Sequence, residues 1–88
     1  MAWTIEYTAT ARKALAKLDR QTAQRIDRFL FERVATRDDP HELGKALTGP
    51  FGGFWRYRVG DYRIVVELQD KVLRILVVRI AHRRKVYR

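Results

Sequence analysis

Three runs in the C-terminal part of the chain, 54–59, 62–69 and 72–82, are rich in β-branched and aromatic residues and are separated only by Gly60-Asp61 and Asp70-Lys71. A two-residue connection obliges a strand to return antiparallel beside its predecessor, because parallel neighbours need a crossover of about a dozen residues or more. The runs therefore predict a three-stranded meander. With both connections read as two-residue turns, Val59 faces Tyr62 and Gln69 faces Val72, and every later pairing follows by counting.

Upstream, Trp3-Thr4-Ile5-Glu6-Tyr7 alternates apolar and polar as a short strand does. Thr8 or Thr10 can cap a helix with Ala11, Ala14, Leu15 and Leu18 on one stripe. Asp19 reads as a second cap, followed by Ala23, Ile26, Phe29, Leu30 and Val34 at helical spacing. Residues 36–53 hold both prolines and four of the five glycines and read mostly as loop. The order β-α-α-β-β-β defines an α+β fold, a helical hairpin packed on one face of a small, mainly antiparallel sheet. At 88 residues there is room for a single domain, 1–88.

Alternation sorts the meander into two faces. One collects Trp55, Tyr57, Ile64, Val66, Ile75 and Val77, and by the same count Ala81, with Arg79 its one charged member, near the edge. The helices belong there. The other carries Arg56, Arg58, Arg63, Val65, Glu67, Arg74, Leu76, Val78, Ile80 and His82. On this count Glu67 is compensated by Arg74, whereas Arg58 and Arg63 fall opposite each other with Arg56 beside them. Like charges directly opposed across strands are destabilising, so a guanidinium cluster on a half-apolar sheet face is a candidate anion site.

Charge agrees with this. The chain carries a net +9, with nine bases and seven acids in residues 1–50 but ten bases and three acids in residues 51–88. Such an excess favours a polyanionic partner, and arginine matches phosphate with a planar fork. The meander's pairing places the tail beside Trp55–Arg56 and Tyr62–Arg63. Its Arg83, Arg84, Lys85 and Tyr87 suit RNA, with cations on phosphates and an aromatic ring on an unpaired base. No apolar run approaches the ~20 residues of a membrane span, and the opening MAWTIEYTAT lacks the layout of a signal peptide. Without cysteine, and with only His41 and His82, no metal or other cofactor is expected. The expected setting is cytoplasmic. His41 has no supporting neighbours and is given no role.

The runs Leu47-Thr48-Gly49, Trp55-Arg56-Tyr57-Arg58-Val59-Gly60-Asp61-Tyr62-Arg63-Ile64 and His82-Arg83-Arg84-Lys85-Val86-Tyr87 together resemble the RelE toxins of bacterial toxin–antitoxin modules, over essentially the whole chain. The resemblance implies a ribosome-dependent messenger-RNA endonuclease that cuts in the A site without a metal. The substrate's 2′-hydroxyl attacks the adjacent phosphate, leaving a 2′,3′-cyclic phosphate and a 5′-hydroxyl. It also implies site residues: Arg63 as phosphate stabiliser, Arg83 as acid or further charge stabiliser, and Tyr87 as the ring that stacks on a base. With the turn here taken as two residues shorter, Arg56 and Arg58 stand where the best-studied branch of the family has two lysines, and Ala81 where the family often has glycine. Arginine, with a pKa above ~12, does not serve as a base at neutral pH. His82, Glu67 or no discrete base at all remain for that role. Arg84, Lys85 and Arg74 are expected to contact RNA. The implied partners are a cognate antitoxin whose acidic segment covers the arginines and the apolar stripe, the ribosome with its message, and operator DNA only through the antitoxin. ParE toxins share the fold but poison DNA gyrase, which makes gyrase inhibition the alternative activity.

Overall fold

The structure, a computed structural model, describes residues 3–85. Strand β1 (Thr4–Tyr7) leads into α1 (Ala9–Ala16), and Thr8 caps that helix by accepting from the Ala11 N–H at 3.1 Å. Asp19 begins α2 (Arg20–Phe29), accepting from the Thr22 amide at 3.1 Å and the Thr22 hydroxyl at 2.6 Å. Those bonds hold the Asp19 carboxyl below its usual range. A π turn over Leu30–Val34 closes α2 and buries both of its end residues. Two short 3₁₀ turns and a two-residue strand, β2 (Lys45–Ala46), then lead to β3 (Trp55–Val59), β4 (Tyr62–Gln69) and β5 (Arg74–His82).

The sheet has five strands in the order β1-β5-β4-β3-β2. β1 runs parallel to β5 and the other pairs are antiparallel. The helical pair covers one face, where Ala11, Ile26, Leu30 and Val34 pack with Tyr57, Ile64, Val66, Ile75 and Val77. Full burial of each aliphatic side chain contributes ~1.5–3 kcal/mol. The Tyr7 hydroxyl donates to Asp27 and ties β1 to α2; the Tyr57 hydroxyl donates to the Pro40 carbonyl at 2.7 Å and ties the loop to the core. Burial pushes both phenols up, with the Asp27 bond adding to the effect on Tyr7.

The first hairpin has the register expected, Arg58 opposite Arg63 and Val59 opposite Tyr62. The second does not. Its connection spans residues 70–73, so Gln69 faces Arg74 rather than Val72, and Leu73 takes a left-handed φ of 52°. A second irregularity follows. Val66 pairs with Val77 but Val65 pairs with Arg79, leaving Val78 as the extra residue of a β-bulge. The bulge reverses the alternation of the rest of β5. Ile80, expected on the open face, enters the core at 6% exposure, and His82 lies opposite Tyr62 on the helix-covered face. Arg79 and Ala81, expected on the core face, instead lie opposite Val65 and Arg63 on the open one.

Candidate functional site

Read as rows across the strands, the open face is sharply polarised. The row nearest the β3–β4 turn contains Arg58, Arg63 and Ala81; the next contains Lys45, Arg56, Val65 and Arg79. Directly opposed side chains have Cβ atoms about 4.5–5.5 Å apart, so five cations share a small area. No acidic residue stands in either row. Glu67 and Glu6 come one row further on, at either side of Leu76, and Arg74 lies beyond them between Gln69 and Thr4. The positive end of this face is therefore the end with the two-residue turn, where Gly60 supplies the required positive φ of 58°.

Individual side chains sharpen the picture. Arg56 has its Nε buried without a hydrogen-bond partner, and a buried donor left unmade is costly until an acceptor arrives. With Lys45, Thr48 and Phe51 it lines a groove of about 460 Å³. Arg63 folds back over the turn, its Nη1 3.5 Å from the Gly60 carbonyl and 3.4 Å from that of Tyr62. Arg58 is exposed, whereas Val65 is buried on this face between two arginines of its row, whose aliphatic stems can cover it.

The tail folds back beside the same turn. The Arg83 N–H donates to the Asp61 carbonyl at 2.7 Å, and the Lys85 N–H donates to the His82 carbonyl at 2.8 Å. Arg83, Arg84 and Lys85 are exposed there. The tail thus neighbours Tyr62–Arg63 as expected but not Trp55–Arg56, since Trp55 faces Ala46 and Val66 at the far end of β3. Tyr87 lies outside the described residues.

Two expected members of the site stand elsewhere. His82 does not share the arginine face: its ring meets Tyr62 edge-on at 5.7 Å, and its Nδ1 accepts from the Arg84 N–H at 3.3 Å. Arg74 is not paired with Glu67. It pairs with Glu6 through Nε and donates from Nη1 to Gln69 Oε1 at 3.0 Å, while Glu67 accepts from Gln69. His41 is a loop anchor, its Nδ1 2.6 Å from Asp39 Oδ1 and its ring 4.6 Å from that of Trp55. That contact lowers the pKa of the Asp39 carboxyl. Lys45, in a stretch that reads as loop, and Arg79, expected at the edge of the core face, join the cationic rows. For Arg79 a signal existed, since a charge on an otherwise apolar face, followed by an isoleucine on the charged one, marks a break in alternation.

Comparison with known proteins identifies the family of the chain. Residues 5–87 match the family model described as the ParE toxin of type II toxin–antitoxin systems, parDE. Toxin RelG of Mycobacterium tuberculosis is 30% identical over 88 residues, covering 100% of this chain and 99% of that protein. Toxin RelE of the same organism is 34% identical over 84 residues, covering 96% and 84% respectively. The crystal structure of the M. tuberculosis RelBE2 toxin–antitoxin complex superposes with a TM-score of 0.85 at 27% identity, covering 93% of this chain and 99% of that one. Fold and relatives together define the class, a toxin of a type II toxin–antitoxin module. Within it, the chain belongs to the RelE family of the RelE/ParE superfamily.

Proposed function

We propose that this toxin is a ribosome-dependent endoribonuclease that cuts messenger RNA in the A site and so arrests translation in the cytoplasm. The observation that carries the reading is the convergence of Arg56, Arg58 and Arg63 on two adjacent rows of the open face, beside the turn that receives Arg83. The substrate supplies its own nucleophile. Its 2′-oxygen bonds to phosphorus as the bond to the 5′-oxygen breaks; the 2′-hydroxyl proton leaves and the departing 5′-oxygen gains one. Charge accumulates on the phosphorane oxygens, and preorganised cations there act where stabilisation counts most. Arg63 and Arg83 hold that charge, Arg56 and Arg58 grip the flanking phosphates and acidify the hydroxyl, and Tyr87 stacks on a base so that attacking and leaving oxygens stand in line. Arg84 and Lys85 add electrostatic grip.

No discrete base is assigned. His82 lies opposite Tyr62 on the helix-covered face, with its Nδ1 accepting the Arg84 N–H, away from the arginine rows. Arg74, engaged by Glu6 and Gln69 at the acidic end, is left out of the RNA-contacting set. An antitoxin with an acidic, amphipathic segment is the matching inhibitor, laid over Leu76 and the cationic rows; Ile80, now in the core, drops out of the stripe it would cover.

Gyrase poisoning is the rival, and the whole-chain relatives named RelE and RelG disfavour it. Mapping messenger-RNA 5′ ends after brief induction tests the proposal. Cuts within codons, absent with Arg63→Ala, are expected. Intact messages together with inhibited supercoiling by the purified protein would move the assignment to gyrase.

A further inference from the structure

We infer that Arg79 is a positioning residue that docks the basic tail onto the sheet, an inference that rests on the nuclease reading for its functional consequence but on geometry for its substance. Simple alternation would have pointed Arg79 into the helix-covered face. The bulge at Val78 turns it onto the open face in the row of Arg56 and Val65. From there its Nη2 donates to the main-chain carbonyl of Lys85 at 2.9 Å.

This bond adds a side-chain anchor to the backbone ones that hold the tail. Arg83 is fixed to the hairpin by the Asp61 carbonyl, and the turn 82–85 is closed by the Lys85 amide; the contact at the carbonyl end of Lys85 is a side-chain one. Arg79 seizes that end. Three exposed bases are thereby held beside the turn that joins Arg58 to Arg63, and mutual repulsion favours their release. A charge-assisted bond from a planar guanidinium opposes that release and fixes direction as well as distance. With the tail docked, the ordering of Arg83 is completed before substrate arrives, which is where proximity effects gain their size. A positive residue in a crowded positive row is otherwise an unfavourable choice. Its carbonyl contact explains it.

The test uses full-length Arg79→Gln and Arg79→Lys, with two readouts. The first is amide hydrogen exchange at residues 83–85, followed alongside the melting temperature. The second is single-turnover cleavage on programmed ribosomes, separated into kcat and KM. Arg79→Gln should raise exchange at Arg83 and Lys85 about tenfold without changing Tm and lower kcat about tenfold with KM within twofold, the size of one charge-assisted bond. Arg79→Lys, still a donor, should recover part of both. Unchanged exchange overturns the inference, whether activity is untouched or KM rises, the latter meaning that Arg79 grips RNA directly. Should the wild-type protein cut no message, the nuclease reading falls alone, and the exchange measurement still decides whether Arg79 clamps the tail.

Discussion

At the scale of single residues, Arg58 opposite Arg63 carries the largest local conflict between stability and activity. Each is the other's cross-strand neighbour, and such like-charge pairs cost on the order of 0.2–1 kcal/mol. Arg58→Gln should therefore stabilise the fold by about 0.5 kcal/mol in urea titrations at low salt, with the gain shrinking as ionic strength rises. Arg63→Ala should unfold no more easily yet lose about a hundredfold or more in cleavage rate, the cost of deleting one preorganised charge stabiliser. A folded Arg63→Ala protein of full activity would remove that residue from the mechanism. Gly60 is constrained twice, by a φ of 58° and by Arg25, whose Nη1 stands 3.1 Å from where a Cβ would be. Gly60→Ala should cost about 1–2 kcal/mol, since a left-handed backbone carries that penalty for any residue with a Cβ.

Among the elements, β5 decides most. Ile80→Ala should destabilise by about 2–5 kcal/mol, because the bulge puts Ile80 in the core, whereas unbroken alternation would leave it on the surface and make the change nearly neutral. Chemical denaturation of this one variant separates the two registers. The β3–β4 hairpin was readable from sequence because Gly60-Asp61 has turn chemistry that admits one register. The next connection was not, because Val72 and Leu73 look like strand; yet Val72 is 57% exposed and Leu73 takes a turn conformation. β2, only two residues long, has no periodicity to detect. The cationic cluster survived these errors because Arg56, Arg58 and Arg63 all sit on the correctly registered hairpin, while His82 was misplaced by lying beyond the bulge. Helix α2 is governed by its cap. The lowered pKa of Asp19 means that its contribution is present above the unfolded carboxyl value of ~3.9 and is lost as pH falls through the folded value. The Tm difference between wild type and Asp19→Asn should accordingly be constant near neutrality and vanish in strong acid.

For the whole molecule, the net charge of +9 is concentrated where the fold directs it, on one end of one sheet face and the adjoining tail. If Arg56, Arg58, Arg63, Arg83, Arg84 and Lys85 each neutralise a phosphate, binding to single-stranded RNA should weaken with salt at a log–log slope of about −4, measurable by fluorescence anisotropy. A slope near zero would mean that these cations meet no polyanion.

The parallel pairing of β1 with β5 reaches further than architecture. A polypeptide is synthesised from its N-terminus, but among the described residues β1 pairs only with β5, the fifth strand in chain order. Until β5 emerges the nascent chain holds a first strand without a mate and a first helix without the strand it packs on. Contacts of such wide sequence separation form slowly and late. The arginine rows need β4, and the tail's anchor needs β5, so no growing fragment presents the assembled face. A premature stop anywhere before β5 yields a chain whose first strand lacks its partner and which has no basic tail. By topology, the arginine face and its tail come together only once β5 has been made.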